Sequence, residues 1–258
     1  VMRPVSGVSR ISNSSISVTF SGAPANVVWS GATDNTWEVG GVTNNWLNGA
    51  SPDAYLNYDN VTFNDTASGP NLSPVLAATI TPGAVTFNNS SNTYVLSGSG
   101  AITGACKITK SGTGTATIST NNTHTGGTDV LAGTLNVGSG GTTGSLGSGA
   151  ILVDGTLNFN RSDTVTLANT VDGTGTLAQA GTGTLALTSL DSALCSLAAT
   201  AGTLQIGDAG SNSPGASVSN AIGITIGSGA TLDLPRNHAL TVQTVAWSLP
   251  PIALNSGS

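Results

Sequence analysis

One short repeat constrains this chain more than any other feature. Gly-Thr-Leu recurs along the chain, and its copies at Gly133, Gly155, Gly175 and Gly202 are spaced by 22, 20 and 27 residues. Longer segments return with it. Ser111-Gly-Thr-Gly-Thr-Ala-Thr-Ile118 reappears as Ala180-Gly-Thr-Gly-Thr-Leu-Ala-Leu187, and Ala132-Gly-Thr-Leu-Asn-Val-Gly138 as Ala201-Gly-Thr-Leu-Gln-Ile-Gly207, both at an offset of 69. Upstream, Val61-Thr-Phe-Asn64 and Val85-Thr-Phe-Asn88 lie 24 apart. The unit is therefore a single coil of roughly 20–24 residues, in the range where fixed periods signal solenoids or arrays.

Inside each unit the apolar residues alternate: Leu135 and Val137, Leu157 and Phe159, Leu185 and Leu187, Leu204 and Ile206, Leu232 and Leu234. Period two describes a strand with one face buried, and these ten residues are predicted to face inward. Short strands between Gly-rich turns suit a sandwich or a solenoid. The repeat separates the two, because in a solenoid each coil stacks on its own copy and one pattern serves every coil. The composition agrees. About half of the 258 residues are Gly, Ser, Thr or Asn, while charged residues make up 7%. Such a chain has no Ala-Leu-Glu-Lys-Arg stretches, its commonest residues are poor helix formers, and its 38% apolar content is too high for ordinary disorder. The expected class is all-β, a parallel β-helix.

The residues that carry the repeat also resemble a known family. Leu96-Ser-Gly-Ser-Gly-Ala-Ile102, Ile108-Thr-Lys-Ser-Gly-Thr-Gly-Thr115, Thr125-Gly-Gly-Thr128 and Ala132-Gly-Thr-Leu-Asn-Val137 look like the autotransporter-associated β-strand repeat. The opening around Trp29, Trp37 and Trp46, followed by Asp59-Asn-Val-Thr-Phe63, resembles the start of large bacterial surface proteins that carry it. The resemblance covers roughly residues 27–235. It implies a right-handed, passenger-type β-helix outside a bacterial cell, and the family brings no shared catalytic residues. A chain that starts at Val1 without a signal-peptide pattern is what a processed, secreted product would present, and equally what a shortened piece of a longer chain would present.

Four stretches are expected: an N-terminal extension (1–26) with an alternating strand at Ile16-Ser-Val-Thr-Phe20, Trp-rich first coils (27–100), regular coils (101–249) and a tail (250–258). The net charge of −6 argues against nucleic acid as a partner, and no apolar run is long enough to insert in a membrane. No cofactor or metal motif is present. His124 and His238 stand alone, and His124 reads as a turn residue. Cys106 and Cys195, about four coils apart, are not expected to bridge within one chain, since a disulfide needs Cα atoms within about 7 Å.

Polysaccharide hydrolysis would need converging carboxylates. The acids are scattered, and the closest approach to a cluster is Asp129, Asp154 and Asp172 along one corner. An enzyme is therefore the least favoured reading. The aromatics are more informative. Trp29, Trp37 and Trp46 form either a cover for the first coil, which solenoid ends require, or a platform for surface glycans, and the cover is favoured. Arg3 and Arg10 make Val1–Gly22 a +2 segment on a chain of net −6, suited to lying on an acidic neighbour. The favoured function is a non-enzymatic filament subunit whose partner is itself. Arg3, Arg10, Ile16, Val18, Phe20, Trp29, Trp37, Trp46 and Trp247 are the candidate interface. The alternative is a monomeric adhesin that binds glycans.

Overall fold

The computed structural model describes residues 9–12, 15–17, 23–41, 43–67, 70–189, 195–207, 223–234 and 245–247. Among these there is no helix. The chain winds as a parallel β-solenoid, with successive strands stacking in register on three faces.

The first face holds seven parallel strands: Asn26–Trp29, Asn60–Asn64, Ala84–Asn88, Lys107–Lys110, Thr128–Val130, Ile151–Val153 and Val171–Asp172. The second holds eight: Tyr94–Leu96, Thr115–Ile118, Thr134–Val137, Thr156–Phe159, Thr176–Gln179, Ser196–Ala199, Ile224–Ile226 and Val245–Trp247. Seven ladder spacings of ~4.8 Å make this stack roughly 34 Å long. The third face is shorter, with Thr164–Leu167, Thr184–Leu187, Thr203–Ile206 and Thr231–Asp233.

The alternation read from the sequence becomes columns of like residues. Leu135, Leu157, Leu177, Leu197 and Ile224 occupy one inward column of the second face. Leu185, Leu204 and Leu232 occupy one on the third. Outward positions carry their own ladders. Thr115, Thr134, Thr156 and Thr176 stand in register, while Asn158 donates to Asn136 and Asn136 donates to Thr117 at 3.1 and 3.3 Å. Each apolar column removes its side chains from water in one continuous core, at about 25 cal/mol per Å² of apolar surface.

The glycine of Gly-Thr-Leu is explained by the stacking. At Gly133 φ is +65°, and a Cβ would lie 2.4 Å from the Gly114 carbonyl oxygen of the coil beneath. Its counterpart Gly202, at φ +58°, would meet the Gly183 oxygen at 2.3 Å. Only glycine lets successive corners approach so closely.

Of the ten residues predicted to face inward, eight are buried. Leu232 is only partly buried, and Leu234 is 41% exposed, against expectation. The strand Thr231–Asp233 is the last of its face among the described residues, so nothing described stacks beyond it. Leu234 also follows the strand, where alternation no longer dictates direction. A second departure lies in the Trp-rich stretch. Trp46–Asn48 and Ser51–Asp53 form an antiparallel hairpin on the first strand of the first face, where a further coil was expected. Gly49, at φ +61°, takes the first central position of its two-residue turn, which selects a type II′ hairpin.

Candidate functional site

The candidate interface divides into a cap, an N-terminal segment and a terminal strand. The cap is an aromatic cluster. Trp29, Trp37 and Trp46 are fully or almost fully buried, with Tyr55 and Phe63 beside them. Trp37 packs edge-on against Trp46, Tyr55 and Phe63, with centroids 5.2 to 5.5 Å apart. Trp29 meets Trp46 at 5.0 Å and 81°. Phe63 then stacks flat on Phe87 of the next coil, at 4.9 Å and 15°. The rings thus carry the core up to the end of the solenoid, where no further coil among the described residues supplies a Leu column.

Polar groups fix this cap. The Trp29 indole N–H donates to the Asn71 carbonyl at 2.8 Å, and Asn71 Nδ2 donates back to the Gly31 carbonyl at 2.6 Å. Buried Asn45 accepts from the Thr33 and Asp34 amides, both at 3.0 Å, and donates to Asp34 Oδ1 at 2.7 Å. The Asp34 carboxyl is held below its ordinary range by the Thr36 amide and by Asn45. The buried Trp37 Nε1 has no oxygen or nitrogen partner. Its ring lies among edge-on aromatic neighbours. Tyr55 is pushed above its usual pKa by burial, with the Asp59 charge adding to this.

Burial corrects one expectation. Trp29, Trp37 and Trp46 are packed inside their own chain, so their rings present neither a sugar platform nor a direct contact for a neighbour. The surface at this end is the outer hairpin. Its edge strand, Ser51–Asp53, is three residues long with Pro52 at its centre. A short strand interrupted by proline resists addition of another strand.

In the N-terminal segment, Ser9–Ser12 pairs antiparallel with Ser15–Ser17, and Arg10 lies opposite Ile16. An alternating strand over 16–20 was expected. Its first two residues belong to this hairpin, while Val18 and Phe20 lie outside the described residues, as does Arg3. At the other end, Trp247 is in register with Ile226 on the last described strand of the second face.

The remaining chemistry-bearing residues take local roles. Lys107 points outward and pairs with Asp129 at 2.8 Å, whereas Lys110, three residues on, is fully buried. Its ammonium donates to the Gly112 carbonyl, and burial lowers its pKa against an opposing pull from Asp65. Gln179 does the same for Gly181 and Gly183 at 2.8 and 2.9 Å, and Gln205 for Gly207 at 2.9 Å. Lys110 and Gln179, inward and last in their strands, thus satisfy corner carbonyls, whereas Gln205 does so from a half-buried outward position between Leu204 and Ile206. Adjacency in the sequence concealed this, because period two sends positions 107 and 110 to opposite sides.

Asp129 and Asp172 fall in one outward column with Leu152 between them. Asp154 is spent on the Thr174 amide and hydroxyl at 3.0 and 3.1 Å, and Asp172 accepts from the Gly173 amide at 2.7 Å. Among the described residues, no three His, Cys, Asp or Glu side chains are placed to hold a metal ion, and no helix is long and apolar enough to cross a membrane.

His124 occupies its Thr-His-Thr segment fully buried. Nε2 is 3.2 Å from the Thr128 hydroxyl, Nδ1 has no partner, and burial pushes the imidazole pKa down to about 4. Cys106 and Cys195 are free and buried, as expected for residues on separate coils. Burial raises both thiols to about 11, which leaves them poor nucleophiles.

Fold and end structure together define a capped parallel β-solenoid. Within it, residues 108–137 match the family model of the passenger-associated-transport-repeat. That segment runs from Lys107–Lys110 and Thr115–Ile118 to the strands stacked directly on them, Thr128–Val130 and Thr134–Val137. The matched unit is thus one turn of the solenoid plus the strands that begin the next, consistent with the autotransporter passenger repeats that the sequence resembles. No curated protein and no solved structure matches the chain.

Proposed function

We propose that the protein is a non-enzymatic, passenger-like module on the surface of a bacterium, and that it is the structural subunit of an extracellular filament. The repeat match at 108–137 and the stacked parallel coils support the surface module. The observation that carries the filament reading is the inequality of the solenoid's two ends. One is closed by an aromatic cluster and a proline-bearing hairpin. At the other, among the described residues, Val245–Trp247 pairs on one side only, and an unpaired strand edge is a template for another chain.

Unequal ends favour head-to-tail contacts, which extend without closing. The +2 segment of Val1–Gly22 supplies a strand-forming element of opposite charge to the rest of the chain. Added to the open edge of the second face, it would bind by β-augmentation, with main-chain bonds giving affinity and alternate side chains giving register.

Negative-stain microscopy of the full chain and of a variant without residues 1–22 tests this. The full chain is expected to form long filaments, more slowly at raised salt because charge assists encounter. The truncated chain is expected to keep its β spectrum and remain short. Equal assembly by both forms would remove the donated strand from the mechanism and move the monomeric adhesin ahead.

A further inference from the structure

The turn before the second strand of the first face is built against its own sequence. Leu56 to Asp59 closes a β-turn through a bond from the Asp59 amide to the Leu56 carbonyl at 3.1 Å. Its third residue is Tyr58, at φ +74°, the one described non-glycine residue with positive φ. That position of a type II turn normally takes Gly or Asn.

The surroundings hold the turn firmly. The Tyr58 amide donates to the Thr81 carbonyl at 2.7 Å, and the Thr81 amide donates to Asn57 Oδ1 at 3.0 Å. Buried Asp59 accepts from the Leu56 amide at 2.9 Å and from the Ala25 amide at 2.8 Å. All these bonds are made by Tyr58's backbone or by other residues, so the turn does not need the tyrosine ring. Backbone strain retained at an exposed position marks function more often than packing.

The ring itself is 47% exposed, whereas every other aromatic side chain described is buried. The strand that follows the turn and the strand paired with it carry two exposed carboxamides in register, Asn60 and Asn26, joined by an Nδ2-to-Oδ1 bond of 2.9 Å. A methyl group on Gly83 would lie 2.6 Å from both Asn60 Oδ1 and the Tyr58 carbonyl oxygen. The amide and the turn therefore share one small patch of surface.

We propose that Tyr58, with Asn26 and Asn60, forms a shallow contact site for the face of a neutral pyranose. An exposed ring offers a flat apolar surface for sugar C–H groups. Carboxamides both donate and accept, which matches vicinal hydroxyls. The net charge of −6 disfavours acidic sugars. This site is independent of the filament reading, and it moves the glycan contact away from the buried tryptophans.

Neutral hexasaccharide fragments of β-glucan, β-mannan, β-xylan and chitin would be titrated against the full chain by saturation-transfer NMR, beside three variants. At least one fragment should bind the native protein. Tyr58→Phe should retain binding. Tyr58→Gly should weaken it about tenfold or more, about 1.4 kcal/mol, with an equal or higher thermal midpoint because the strain is gone. Asn60→Ala should weaken it less. The proposal is overturned if none of the fragments binds, if Tyr58→Gly binds as well as the native chain, or if Tyr58→Gly lowers the thermal midpoint.

Discussion

The capped end and the regular coils solve the same problem with different materials. In the coils each buried Leu or Ile is covered by the equivalent residue above and below, so one modest side chain repeated suffices. Among the described residues the first coil has no equivalent on its outer side. There the chain uses Trp29, Trp37, Trp46 and Tyr55 at edge-on angles, together with a hairpin running against the direction of the stack. Repetition makes the coils interchangeable, and its absence at the end demands a unique, irregular cluster.

If that contrast is right, a charge inside a column should be more damaging than the loss of a cap ring. Leu204 is fully buried between Leu185 and Leu232. Leu204→Asp places an unpaired carboxylate there, at a cost of several kcal/mol, comparable with total stability. Circular dichroism and expression in soluble form should show the chain unfolded or absent.

The cap is tested by Trp37→Ala, which removes the ring at the centre of the cluster. A loss of about 3–5 kcal/mol is expected in denaturant unfolding. Hydrogen exchange should quicken first in 26–64 and last in 134–187. Uniform acceleration would mean that the end is not a separate cap.

Acid should strike the coils through His124. Its pKa is near 4 in the folded chain and about 6.5 unfolded. As pH falls from 6.5 towards 4 the unfolded state alone takes up the proton. Stability is therefore full above 6.5 and falls by about 3 kcal/mol across that window. Thermal midpoints measured from pH 7 to 4 should follow this slope, and His124→Gln should flatten it.

The smallest effect belongs to the hairpin turn. Gly49 has open space around a notional Cβ, so Gly49→Ala pays only for the left-handed backbone, about 1 kcal/mol. At Gly133 the same φ comes with backbone contacts under 3 Å, and Gly133→Ala should cost distinctly more. Equal losses at the two sites would show that coil corners have slack.

The sequence by itself determined the coil. A recurring Gly-Thr-Leu and a period-two apolar pattern are local, and each coil repeats them, so the period, the parallel stacking and eight of ten inward residues could be read directly. It also marked the aromatic cluster as a cover for the end, because three tryptophans fall where the repeat stops. Only the tertiary structure decided what breaks the repeat: the antiparallel hairpin at 46–53, the exposed Leu234, the inward Lys110, and Tyr58 standing out from a strained turn. Each depends on which coil lies above or below and on which bonds hold a corner. Such choices are made between coils as well as within a turn, and they leave no periodic trace in the chain.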